Sequence, residues 1–309
     1  MITTPTVFVL GAGASVPYGY PTGAGLRSEV LEGISGWRGD AAVWAQGKGL
    51  EAEAKRFAVA LTRSRNTSVD AFLEHRRELQ AIGKLAMASV LLRCENDERL
   101  FSEREIQGDW LTYLLNAMSE PFDAFSGNKV SFITFNYDRV LEHALFNAVQ
   151  HRYDKSDADC AHVLKKIRIV HVHGSLGPLP WQEPDGHPYG RSVQLEDVLS
   201  AADRIKIVYE GAEEDPEFKV ARTLIRKASR IYFLGFGYSK DNVERLHLWE
   251  CGEGAWIYGT ALGFTDRERG DAEKLLKDQN DPPKSLTLRV VLKDLDCYEF
   301  LRNDPVRLD

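Results

Sequence analysis

Short apolar runs rich in β-branched and aromatic residues punctuate the chain: TVFVL at 6–10, VSFITF at 130–135, IRIVHVH at 167–173, IKIVY at 205–209, RIYFLGF at 230–236, WIYGTAL at 256–262 and LTLRVVL at 287–293. Most show little alternation, which predicts strands buried on both faces of a parallel sheet. Between them lie stretches of helical patterning over Tyr137 to Gln150, Glu217 to Ala228 and Asn242 to Trp249. Strands alternating with helices predict an α/β fold, a doubly wound Rossmann-like parallel sheet. One segment departs from this rhythm. From about Leu26 to Asn128 no strand is predicted, and VDAFLEHRRELQAIGKLAMASVLLR and DWLTYLLNAMSEPF are patterned as helices, so a large helical insertion follows the first strand. Ordinary βα connections run to roughly 2–6 residues. The stretch GPLPWQEPDGHPYGR at 177–191 is a loop, and its place after a strand end makes it a candidate lid.

Composition narrows the class. With 43% hydrophobic and 28% charged residues the chain has apolar mass for a core, which excludes a disordered protein. The 309 residues are read as a single domain over 1–309, since α/β folds often run long. No apolar run approaches the roughly 18 residues of a membrane span, so no membrane role is expected. TVFVLGAGAS resembles a secretory signal in its small apolar residues. The first positive side chain, however, is Arg27 and glycines interrupt the run, so it reads as a strand and turn. The cysteines Cys94, Cys160, Cys251 and Cys297 are scattered, without a CxxC pair, and Cys160-Ala161-His162 offers at most two ligands. Neither a disulfide framework nor a metal site is expected, and the compartment is read as reducing and cytoplasmic. Lys plus Arg count 39 against 46 Asp plus Glu, a net charge of −7 that argues against direct nucleic-acid binding.

Four motifs fall at predicted strand carboxyl ends, where open α/β sheets bind ligands. Gly11-Ala12-Gly13-Ala14-Ser15 follows the first strand; its glycines allow a sharp turn and close approach to a phosphate met by free amides. Val16 stands where the dinucleotide fingerprint of dehydrogenases wants Gly or Ala, and a plain tight turn also accounts for the motif. Thr134-Phe135-Asn136-Tyr137-Asp138 closes the second strand, with Asn136 and Asp138 as crevice groups or as helix caps. In His171-Val172-His173-Gly174-Ser175, strand alternation puts both histidines on one face, and His173 at the carboxyl end is the candidate base. Gly235-Phe236-Gly237-Tyr238-Ser239 is a second glycine loop suited to ribose or phosphate contacts, or again a βα turn.

The order of these motifs resembles the sirtuin superfamily. GAGASVPYGYPTG aligns without gaps to the signature Gly-Ala-Gly-Ile-Ser followed by Gly-Ile-Pro-Asp-Phe-Arg. TFNYD matches Thr-Gln-Asn-Ile-Asp, HGS matches the catalytic His-Gly, and GFGYS takes the place of the adenosine loop Gly-Thr-Ser. The matches anchor residues 5–25 and 130–242 and imply a fold of sirtuin type with NAD+ as substrate. Thr22-Gly23-Ala24 replaces the deacylases' Asp-Phe-Arg, their paired CxxC zinc module is missing, and the stretch from Asn136 to His173 is longer than a deacylase would have. These departures look like the sirtuin-like NAD-hydrolysing effectors of bacterial antiphage defence, in which the resemblance implies that Asn136 and His173 are essential.

Cleavage of the nicotinamide–ribose bond passes through an oxocarbenium-like transition state, and because nicotinamide leaves from a cationic ring it needs no proton. The expected site therefore has Asn136 holding the water or a ribose hydroxyl, His173 as general base and Asp138 orienting nicotinamide with help from Pro21. Gly11, Ala12, Gly13, Ala14 and Ser15 are expected around the phosphates, Gly235, Gly237 and Ser239 around the adenosine, and Thr22 is a further expected cofactor contact. A zinc-free protein deacylase, an ADP-ribosyl transferase and a non-catalytic nucleotide sensor are the alternatives. An always-active NAD+ hydrolase would kill its host, and no linker to a second sensing domain is read in the chain. Activation is expected from self-assembly as a homo-oligomer or from a partner protein; in the resembling family such partners include HerA-type ATPases and short Argonautes. Apolar positions of the insert, Phe72, Leu73, Leu79, Ile82, Leu85 and Ala86, serve either as packing on the sheet or as a subunit interface.

Overall fold

TVFVL, the most uniformly apolar run, forms the centre of the sheet. In the computed structural model, which describes residues 1–35, 49–102, 108–207, 215–277, 288–303 and 308, strand β1 (Thr6–Leu10) is buried at every position. It pairs in parallel with β2 (Val130–Thr134) on one side and with β4 (Arg230–Leu234) on the other. β3 (Arg168–His171) extends the sheet beyond β2, and β5 (Trp256–Thr260) and β6 (Arg289–Lys293) extend it beyond β4. The order β3-β2-β1-β4-β5-β6 is the doubly wound arrangement, with its switch point between β1 and β4.

The run at 205–209 behaves differently from the expectation. Ile205 and Ile207 are buried but not in a strand, and 208–209 lie outside the described residues. β3 ends at His171, and among the described residues the segment meets the chain beyond it through the bond from Lys206 N–H to the His173 carbonyl (2.8 Å). Gly174 turns the chain away with φ of +74°, and a Cβ there would fall 2.0 Å from the Arg204 carbonyl oxygen.

The first helical layer comprises the insert: α1 (Gly23–Ser35), α2 (Glu51–Ser64), α3 (Val69–His75), α4 (Gln80–Arg93), α5 (Asp97–Leu100), α6 (Trp110–Ala117) and α7 (Phe122–Phe125). With α8 (Val140–Tyr153) and α9 (Asp157–Leu164) it covers the face carrying Phe8, Phe132, Tyr232 and Tyr258, whose rings stack in a row at 5.0–5.5 Å. Phe72, Leu73, Leu79, Ile82, Leu85 and Ala86 are all buried in this layer, so an interface between subunits would have to use other residues. Removing a buried side chain of this size from water contributes about 1.5–3 kcal/mol, which makes the insert an integral part of the core. The opposite face carries Val7, Val9, Ile133 and Val170 and packs on α11 (Pro216–Lys227) and α13 (Asp266–Lys277). Burial on both faces is why the strands show no alternation in sequence. The remaining helices are α10 (Leu195–Arg204), α12 (Lys240–Arg245) and α14 (Cys297–Arg302). Among the described residues no helix is long and apolar enough to cross a membrane.

Candidate active site

The carboxyl ends of β1, β2, β3 and β4 open into one cavity of about 420 Å³, within the roughly 300–1,000 Å³ common for small-molecule sites. Gly11, Ala12, Ser15, Pro21 and Thr22 line it from the β1 side, Asn136 and Asp138 from the turn after β2, His173 from the turn after β3, and Gly237 and Ser239 from the turn after β4. Of the residues singled out in the sequence, Gly13, Ala14 and Gly235 do not line it. They meet behind it: a Cβ on Gly13 would sit 2.8 Å from the Gly235 Cα, and one on Gly235, at φ +59°, 2.0 Å from the Ala14 nitrogen. These glycines let one loop backbone lie directly on the other.

That contact, together with turns inside the loop, also consumes four of the amides expected to face a phosphate. Gly11 N–H donates to the Leu234 carbonyl (3.0 Å), Gly13 N–H to Gly235 (2.9 Å), Ala14 N–H to Gly11 (2.9 Å) and Ser15 N–H to Ala12 (3.1 Å). The loop therefore fixes shape more than it supplies a row of free donors.

Its main product is the placement of Ser15. The Ser15 hydroxyl donates to Asp138 Oδ2 (2.7 Å) and accepts from Asn136 Nδ2 (3.1 Å), which also donates to the Gly11 carbonyl (3.0 Å). A carbonyl can only accept, so the Asn136 amide is fixed in orientation, with Oδ1 left unused by these bonds. Asp138 Oδ1 accepts from the N–H of Val140 (3.2 Å), the first residue of α8. Burial pushes the Asp138 carboxyl up to about 6, against the lowering effect of the Ser15 and Val140 bonds.

The two histidines do not share a face. Because β3 stops at His171, the following turn carries His173 to the other layer, where its ring meets Phe135 at 5.3 Å and Phe218 at 6.1 Å. Burial, and next the Arg245 charge, lower the His173 pKa to about 4, so the ring is neutral at physiological pH despite a bond to the Asn242 side chain. His171 instead pairs with Glu142 (2.5 Å) and the Asn136 carbonyl (2.9 Å). Burial opposes its charge, but the carboxylate and carbonyl outweigh it and raise the His171 pKa.

Several lining residues carry no signal in the sequence. Asp70 and Glu74 come from α3 in the insert, and Asn242 from the first turn of α12. An acid in the first turn of a helix reads as an ordinary terminus signal, which hid Asp70. Arg139, directly after Asp138, makes a bidentate pair with Glu95 of the insert, both about 1% exposed, at 2.7 and 2.8 Å. Arg139 also donates to the carbonyls of Pro178 and His187, and Gly190 N–H donates to Glu95. The 177–191 loop is thereby held against α8, where Trp181 stacks on Phe146, and it does not line the cavity as a lid would. Larger cavities, of about 630 Å³ beside Arg93 and Arg99 and about 600 Å³ beside Trp181, lie away from the strand-end groups. Among the described residues, no group of three or more His, Cys, Asp or Glu could hold a metal ion.

Residues 130–248 match the family model of a SIR2-like domain. The match supports a Sir2-type domain over this segment, which carries Asn136, Asp138, His173, Gly235, Gly237 and Ser239. SIR2-like proteins are NAD-dependent enzymes, which implies NAD+ as the substrate. The Gly11–Ser15 loop and the helical insert lie outside the match. No curated protein matches the chain.

Proposed function

We propose that the chain is an NAD+ glycohydrolase, converting NAD+ to ADP-ribose and nicotinamide, and that it acts as a regulated toxic effector in antiphage defence. The observation that carries the reading is the convergence of Asn136, Asp138 and His173 on one strand-end cavity inside the SIR2-like segment. The residues fit such a substrate. The cavity has small-molecule size, and Gly237, where a Cβ would meet nothing within 4 Å, leaves its wall open at the backbone. The Asn136 amide is held with its oxygen free for a hydroxyl or water.

Asn136 positions the attacking water or a ribose hydroxyl at the anomeric carbon. Asp138 faces the nicotinamide side with Pro21. Nicotinamide departs with the bonding electron pair as a neutral base and takes no proton from the protein. His173 is unprotonated at neutral pH and receives the proton that the water loses as its oxygen bonds to the anomeric carbon. A base this weak suffices because the carbon already carries most of a positive charge when water attacks. Self-assembly or a partner protein, of the HerA-type ATPase or short Argonaute class, controls when this happens.

The test is chromatographic measurement of NAD+ loss and of ADP-ribose and nicotinamide release by the purified chain, alone and with its partner. Wild type should release both products in equal amounts, while Asn136→Ala should bind NAD+ by calorimetry without cleaving it. ADP-ribose retained on protein would replace hydrolysis with transfer. A wild-type chain that binds NAD+ but never cleaves it would leave only the sensor reading.

A further inference from the structure

The helical insert reaches the cavity with its own chemistry. Ser68 caps α3 by accepting from Ala71 N–H (3.1 Å), which fixes the first turn and with it Asp70. Asp70 lines the cavity and its Oδ1 accepts the hydroxyl of Tyr137. Tyr137 stands between Asn136 and Asp138 in sequence, and its ring meets the His173 ring edge-on at 6.5 Å. A carboxylate from the insert is thus tied, through one aromatic residue, to the base on the opposite wall. No Lys or Arg lines this cavity among the described residues.

We propose that Asp70 recognises the positive charge of the oxidised nicotinamide–ribose half of the substrate, so that the insert supplies a recognition group and not only a wall. The inference rests on the NAD+ reading above. His173 and Asn136 fix where the anomeric carbon must lie, and the cationic ring is bonded to that carbon. The Tyr137 bond occupies Oδ1 and leaves Oδ2 of Asp70 free of it. Burial pushes the Asp70 carboxyl up, with the Tyr137 bond opposing, so a cation arriving beside it favours the ionised form that burial disfavours. In a partly desolvated cavity such a charge pair is worth far more than in water. The neutral dihydronicotinamide of NADH, on an otherwise identical dinucleotide, gains nothing from it.

Titration calorimetry of NAD+ and NADH reads this directly and without turnover in the non-cleaving Asn136→Ala background, comparing the chain that is wild type at Asp70 with Asp70→Asn. With Asp70 in place the chain should bind NAD+ about tenfold or more tighter than NADH. Asp70→Asn still accepts the Tyr137 hydroxyl, and it should bring the ratio close to one by weakening NAD+ alone. A purely structural role would weaken both ligands alike. Equal affinities for the two ligands with Asp70 in place overturn the proposal, and so does a ratio that survives in Asp70→Asn. A wild-type chain that binds neither dinucleotide overturns the NAD+ reading itself, which is a separate outcome.

Discussion

The surroundings of His171 and His173 differ more than two positions along one turn would suggest. His171 sits in a hydrogen-bonded layer: Glu142 on one nitrogen, the Asn136 carbonyl on the other, and Asp138 and Ser15 beyond. His173 sits among the rings of Phe135, Phe218 and Tyr137, with one side-chain partner, Asn242. The first setting raises the pKa and the second lowers it to about 4. One wall of the crevice is built to hold charge in place. The other is built to keep a base uncharged, and the division follows from β3 ending between the two residues.

The hardest way to break this comparison is to remove the anchor of the polar wall. Arg139→Met would strand Glu95 in the core without its partner, and removing one member of a buried ion pair costs about 3–5 kcal/mol. Urea unfolding of the variant should show a loss of that order, with the 177–191 loop more open to proteolysis because its Arg139 bonds are gone. A loss under about 1 kcal/mol would mean that the pair is not what holds the wall.

Removing each histidine in turn sharpens the contrast. His173→Ala should lower NAD+ cleavage by about 100-fold or more while leaving stability at neutral pH nearly unchanged. His171→Ala should do the reverse, costing about 1–3 kcal/mol because the buried Glu142 loses its partner, with a smaller effect on turnover. The stability curves should also bend in opposite directions with pH. His173 binds its proton more weakly in the folded state, so its contribution is intact above the ordinary value of about 6.5 and is lost as pH falls toward about 4. His171 binds its proton more tightly when folded, so its contribution is intact below about 6.5 and is lost as pH rises through its raised pKa. Subtracting each variant's curve from wild type isolates the slope. Two slopes of the same sign would sink the two-wall picture.

The sheet was legible because burial on both faces removes alternation, and Val7 and Phe8 point to opposite layers yet are both buried. The crevice was legible because polar residues stood at the ends of those runs, as Asn136 and His173 do. What the sequence hid depends on where backbone contacts end. IKIVY is as apolar as a strand, but its neighbour turns away at Gly174. The amides of Gly11 and Gly13 look available until Leu234 and Gly235 come to lie against them, and those of Ala14 and Ser15 turn back onto their own loop. Glu95 and Arg139 are each ordinary surface residues by type, and only the packing of the insert on α8 makes them a pair.

The finest adjustment lies in Ser15, whose hydroxyl favours the ionised Asp138 carboxylate against the burial that raises its pKa. Ser15→Ala removes that bond and leaves the Asn136 side-chain amide with the Gly11 carbonyl as its remaining partner. A hydrogen bond to a charged group is worth roughly 1.5–3 kcal/mol, and water recovers part of it, so the Asp138 pKa should rise by about one unit above its value. If ionised Asp138 orients the nicotinamide, the acid limb of kcat/KM should fall near pH 6 in wild type and move upward in the variant, with the rate at high pH little changed. Rates measured from about pH 3 to about pH 8 decide it. An acid limb that stays in place would assign it to another group, and a limb near pH 4 in both proteins would point to His173 as the group that must be unprotonated.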